Sequence, residues 1–189
     1  MSIVIAYVTE DSIYMAGDRI AVRNNDVSYC KKVCNVGSCL VGSAGTRDLY
    51  TNILRLPPPY YQPQKYDGGF TEFINTSLQD WGTRGVFECL GAGAILGYVP
   101  SDGSCELVEL DGDMTKNWFN IERLDLSISP FTAIGSGREP GKAAFKALLD
   151  RDDLSTEEKL ERAIKHTCDV HLYARPDPDG NIDVIKLSR

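Results

Sequence analysis

The order in which apolar periods follow one another constrains this chain more than any single motif. Ser2 to Val8 is β-branched and apolar, Thr9 to Ser12 is polar enough to turn, and Ile13 to Ala16 is apolar again, which predicts a β-hairpin ending at Gly17-Asp18. The chain therefore starts inside a sheet. Val27 to Val36 and Ser38 to Ser43, separated by Gly37, predict a second strand pair closed by Ala44-Gly45. Four short strands precede any helix. Thr46 to Leu56 then has helical spacing and is stopped by Pro57-Pro58-Pro59, and Tyr60 to Gly69 reads as a surface loop. Helix resumes near Phe70, with Phe70, Phe73, Ile74, Leu78 and Trp81 on one face, and Gly82 to Gly85 ends it.

The second half repeats that order. Val86 to Val99, a Pro100-Ser101-Asp102-Gly103 turn and Cys105 to Leu110 predict a hairpin, continued by a strand around Phe131 to Ile134. Pro140 opens a helix through Leu149. A further helix begins at Ser155, which with Glu158 forms the S-x-x-E capping pattern, and Leu160, Ala163, Ile164, Thr167 and Cys168 form its inner stripe. Val170 to Ala174 and Ile182 to Leu187 alternate around a Pro/Asp/Gly turn, which predicts a closing hairpin. Segregated runs of strands and helix pairs argue for an α+β layered domain rather than a parallel sheet. The expected architecture is a four-layer αββα sandwich, two sheets face to face with helices outside each.

Length and composition restrict function. At 189 residues, 42% apolar and 25% charged, residues 1–189 read as one domain with a sizeable core. No apolar stretch approaches a bilayer crossing, and Met1 to Ala6 lacks the features of an export signal, so a soluble, cytoplasmic protein is expected, with no membrane partner. A net charge of −7 without a Lys/Arg stripe argues against nucleic acid as a partner. The six cysteines lack paired C-x-x-C spacing and only two histidines accompany them, so they read as reduced, mostly buried thiols rather than metal ligands. Gly91 to Gly97 and Gly137 to Lys142 superficially resemble nucleotide loops. The first does not open a helix, and the second has the wrong Gly-to-Lys spacing, with Ala143 where a hydroxyl should be.

One charged residue stands out. On strand geometry Cys30, Lys32 and Cys34 share a face while Lys31 points the other way, so Lys32 faces inward and needs an anion, for which Asp18 is the candidate.

Five islands in this order resemble a proteasome β-type subunit, most of all the HslV branch, over nearly the whole chain. They are Ser2-Ile3-Val4, Met15-Ala16-Gly17-Asp18, Lys31-Lys32-Val33, Gly42-Ser43-Ala44-Gly45 and Ala133-Ile134-Gly135-Ser136-Gly137. The resemblance implies the N-terminal nucleophile hydrolase fold and a peptidase whose nucleophile is Ser2, freed by removal of Met1. Asp18 lies sixteen positions after Ser2, the family's ungapped distance, which favours Ser2 over Thr9 or Ser12. A terminal nucleophile carries its own base: a free α-amine, with a pKa of roughly 7.7–8.0, can take the hydroxyl proton, so neither histidine is required.

By the same resemblance Lys32 is the active-site lysine that keeps the amine neutral, and Gly45 supplies an oxyanion-hole N–H. Ser136 and Asp169 organise the amine by hydrogen bonds. The ordinary readings are a surface lysine, a strand-end glycine, a turn serine and a solvated helix end, although an Asp at a helix C-terminus opposes the dipole. Ser replaces the family's threonine, which removes the γ-methyl that restricts the hydroxyl. Leu172 stands where proteasome β-subunits carry a serine, and the Pro57 to Gly69 loop is an insertion.

No cofactor is expected. The implied partners are further copies of the chain in stacked homo-oligomeric, hexameric rings, an ATP-driven hexameric unfoldase and an unfolded polypeptide substrate. Two rival functions remain open: an inactive, structural subunit of the same fold, and an amidohydrolase of small amides.

Overall fold

The computed structural model describes residues 2–23, 26–36, 39–45, 72, 76, 93–99, 105–113, 118–172 and 174–188. The N-terminal hairpin forms as the alternation requires. Strand β1 (Val4–Val8) pairs antiparallel with β2 (Ser12–Gly17), with Val4 opposite Gly17. Both strands are buried on two faces, which explains their nearly continuous apolar sequence. Val4, Ala6, Val8, Ile13 and Met15 face the inter-sheet core, while Ile3, Ile5, Tyr14 and Ala16 face the helices.

The next strands divide differently from expectation. Instead of one strand over Val27 to Val36, there are β3 (Ile20–Arg23), β4 (Asp26–Tyr29) and β5 (Val33–Val36). β3 and β4 form a separate two-stranded ribbon, and among the described residues six strands precede residue 46 rather than four. The β3–β4 ladder closes with Cys30 N–H bonded to Arg19 O at 2.8 Å, and beyond it Lys32 is buried. β5 then pairs with β6 (Cys39–Ala44), with Val33 opposite Gly42.

The second sheet continues through β7 (Gly93–Tyr98), β8 (Glu106–Asp113) and β9 (Trp118–Arg123), in the order β5-β6-β7-β8-β9. The expected hairpin is present as β7–β8, and β9 is an addition that its charged, mixed sequence did not reveal. β10 (Phe131–Ile134) does not continue that sheet. It crosses to the other one and pairs with β1, placing Val4 opposite Ile134.

Helix α1 (Arg138–Leu148) carries Pro140 in its first turn, where the missing N–H costs nothing. Helix α2 (Thr156–Val170) begins with the expected capping box, both the Ser155 and Glu158 side chains bonding back to backbone N–H groups. Phe145 of α1 and Leu160, Ala163 and Ile164 of α2 cover the outer face of the first sheet, and Phe145 meets Tyr7 and Phe131 edge-on.

Among the described residues no closing hairpin forms. α2 runs through Val170, and β11 (Asp183–Ser188) pairs with β2 instead, completing the sheet β10-β1-β2-β11. Glu72 and Thr76 are helical and exposed, off the apolar face expected for that helix. The rest of the first helix pair and the Pro57 to Gly69 loop lie outside the described residues, as do Met1 and Cys89. Among the described residues, no helix is long and apolar enough to cross a membrane.

Candidate active site

Three chain segments meet where β1 begins. Ile3 is clamped twice by Asp18: its N–H donates to Asp18 Oδ1 at 2.8 Å, and its carbonyl accepts Asp18 N–H at 3.2 Å. From the other side, the Ser2 carbonyl accepts Gly137 N–H at 3.2 Å. Ser2 is buried, at 3% exposure. The register of the sheet explains this meeting, because Gly17 and Ile134 both lie opposite Val4 and so deliver Asp18 and the 135–137 turn to residues 2 and 3.

Gly135 is required by close approach. Its φ is +94°, and a Cβ there would lie 2.2 Å from the Ser2 carbonyl oxygen. Gly45 also has a positive φ, +99°, where β6 ends, and it is exposed while Ala44 before it is buried. Ala44 packs toward the same turn, 3.1 Å from the Cβ position at Gly135.

Lys32 Nζ lies 2.8 Å from Asp18 Oδ1, both side chains being buried, whereas Lys31 is exposed. The lysine stem packs on Gly17, and its carbonyl accepts Ser43 N–H at 2.9 Å, which ties the second sheet to the site. Asp18 Oδ2 accepts Arg175 N–H at 3.2 Å. Burial raises the Asp18 carboxyl above the usual range, opposed by the Lys32 charge and these hydrogen bonds. Burial likewise holds the Lys32 ammonium below the usual lysine range, opposed by Asp18. The pair thus sits closer to proton exchange than surface groups would.

Cys168, on the last turn of α2, has its thiol pushed up to about 12 by burial, then by Asp18 and Asp169, with Lys32 opposing. It stays a thiol. Of the five described cysteines only Cys39 and Cys105 are buried, so the expectation of mostly buried thiols is corrected to part-burial for Cys30, Cys34 and Cys168. Among the described residues no cluster of His, Cys, Asp or Glu could hold a metal ion.

The geometry brings Ser2, Asp18, Lys32 and the Gly135–Gly137 turn together. Asp169 is exposed on the last turn of α2, and no hydrogen bond among the described residues ties it to that cluster. Ser136 is exposed, with its Oγ 3.1 Å from His171 Nε2. Sequence reasoning missed two contributors. Arg175 acts through its backbone, which leaves no side-chain signal. His171 was detectable, since it lies four residues beyond Thr167 on the inner stripe of α2.

No family model matches the sequence. Solved structures do. The crystal structure of eukaryotic HslV from Trypanosoma brucei aligns with a TM-score of 0.72 over 99% of both chains, at 21% identity. BPH of Thiobacillus denitrificans in complex with epoxomicin aligns with a TM-score of 0.71 over 98% of both chains, at 14% identity. A second BPH structure gives 0.70 over 98% of this chain and 97% of that one, at 14% identity.

This chain has the proteasome β-type, HslV-like fold. It is an α+β fold whose antiparallel sheets and helices are arranged as in the HslV and BPH structures. At such identities the likeness establishes architecture, and the chemistry must be argued from the residues.

Proposed function

We propose that the chain is a peptidase whose nucleophile is the Ser2 hydroxyl and whose base is the Ser2 α-amine, released when Met1 is removed. The observation that carries this reading is the buried Lys32–Asp18 pair, bonded at 2.8 Å and clamped to the backbone of Ile3, one residue from the nucleophile. An ion pair taken fully out of water is a poor device for stability alone. Beside a free amine it has a use: the ammonium favours the neutral, proton-accepting form of that amine.

The reaction runs in two halves. Ser2 Oγ attacks the peptide carbonyl carbon while its proton passes to the α-amine, and Gly45 N–H holds the developing oxyanion. The protonated amine then gives that proton to the leaving nitrogen, the C–N bond breaks, and an ester to Ser2 remains. Water, deprotonated by the same amine, attacks the ester and frees the acid. Ser136 and Asp169 orient the amine in this reading. The substrate is unfolded polypeptide, reached inside stacked homo-oligomeric rings fed by an ATP-driven unfoldase in the cytoplasm.

Intact mass tests the central claim. The active protein should lack the Met1 mass and take up one equivalent of epoxomicin, the compound bound in one BPH structure. Ser2→Ala should lose both the adduct and the hydrolysis of fluorogenic peptides. A retained Met1 with no turnover would instead mark an inactive structural subunit, and turnover of small amides but not peptides would mark an amidohydrolase.

A further inference from the structure

The reaction proposed above uses neither histidine, yet His171 lies against the turn that holds Ser2. It stands one residue beyond α2, where its N–H still bonds to Thr167 O at 2.8 Å. Its ring packs beside Gly137: a Cβ on that glycine would lie 3.4 Å from His171 Cδ2 and 2.9 Å from Thr167 Cγ2. Its Nε2 is 3.1 Å from Ser136 Oγ.

Ser136 occupies a critical place. Gly135 before it faces the Ser2 carbonyl, and Gly137 after it donates to that carbonyl. The glycines on either side of Ser136 supply no side chains to hold the turn, so a hydrogen bond to the Ser136 hydroxyl can anchor it from outside. Among the described residues His171 is that anchor. The hydroxyl is not spent on α1, whose N-cap position is Gly137 and which has no side-chain cap.

We propose that His171 is a positioning residue, which through Nε2 fixes the Ser136 hydroxyl and with it the 135–137 turn that holds Ser2. The proposal rests on the peptidase reading for its consequence. With the ring proton on Nδ1, Nε2 accepts the Ser136 proton, so the Ser136 oxygen turns its lone pairs to the N–H groups of the terminal amine. The amine's own lone pair is left free for the Ser2 hydroxyl proton. Leu172, the next residue, is exposed and takes no part.

His171→Ala should lower kcat about two- to tenfold, the effect of one hydrogen bond, with KM nearly unchanged. His171→Gln, whose amide reaches the position of Nε2, should recover most of the loss. Ser136→Ala should cost about as much, and the double variant no more than either single one. Full turnover in His171→Ala, or losses that multiply independently, would overturn the proposal. Amide hydrogen exchange at Gly137 reads the same contact without turnover: it should speed up in His171→Ala and slow again in His171→Gln. That exchange pattern across the variants, with no peptidase activity in the wild-type protein, would refute the peptidase reading and uphold the His171 coupling. Unchanged exchange at Gly137 would end the coupling whatever the activity.

Discussion

Asp18 and Arg19 are adjacent in sequence and anchor ion clusters of opposite kinds. Asp18 points inward, is fully buried, and meets Lys32 and two backbone N–H groups. Arg19 points toward the C-terminal turn and is 25% exposed, with Nη1 2.8 Å from Asp177 Oδ2 and Nη2 2.6 Å from Asp183 Oδ1. The outer cluster has more charges and a guanidinium that bridges two carboxylates, which makes it the better structural clasp. It joins the end of β2 to the start of β11, which face each other at Gly17 and Asp183. The inner cluster has fewer charges and larger burial costs, and both of its charges are pushed toward neutrality. Contact number therefore separates the two poorly, whereas burial separates chemistry from fastening.

The largest effect should come from breaking the inner pair. Lys32→Ala leaves a buried carboxylate without its cation and should cost about 3 kcal/mol in a denaturant melt. Peptidase turnover should fall at least about a hundredfold while ring assembly persists. Adding Asp18→Asn removes the orphaned charge and should restore part of the stability but none of the activity. Unchanged turnover in Lys32→Ala would remove the lysine from the site and make both clusters mere fasteners.

The Lys32–Asp18 pair was legible from the demand of a buried lysine for an anion. The strand geometry that put Lys32 on one face with two cysteines does not hold, however, since residues 30–32 lie between β4 and β5. The β1–β2 hairpin and the Ser155–Glu158 cap were legible because each is set by residues a few positions apart. What failed was partner choice. Phe131–Ile134 and Asp183–Ser188 read correctly as strands, yet periodicity says nothing about which edge a strand will join. Val170 to Ala174 alternates like a strand, but the helix started at Ser155 propagates through Val170 because its inner stripe is already packed. The Arg19 clasp stayed hidden because its partners lie 158 and 164 residues away.

That clasp gives the intermediate prediction. Arg19→Ala strips the buried Asp183 of its guanidinium, and Asp183 Oδ2 already has no hydrogen-bond partner among the described residues. A loss of about 2 kcal/mol is expected, with faster amide exchange over 175–183. Turnover should change less than twofold, since the side chain faces away from Ser2. Arg19→Lys should recover little, because a single ammonium cannot span both carboxylates. A collapse of activity in Arg19→Ala at intact stability would show that the outer cluster tunes Asp18 directly and would blur the distinction between them.

The smallest effect should come from a third pair that has good geometry and no burial. Arg151 and Asp153, between α1 and α2, form two hydrogen bonds of 2.7 Å, yet their side chains are 51% and 60% exposed. The Asp153 carboxyl is lowered to about 2, chiefly by the Arg151 hydrogen bonds. A lowered carboxylate contributes stability that is present above its unfolded value near 3.8 and is lost as pH falls through about 2. At neutral pH the contribution is therefore complete, but water and salt screen it, and two flexible side chains lose freedom to make it. Arg151→Ala should shift the melting temperature less than Arg19→Ala at neutral pH. An equal or larger shift would mean that hydrogen-bond geometry rather than burial ranks the ion pairs of this molecule, and the reading of Lys32–Asp18 would have to be made without its burial.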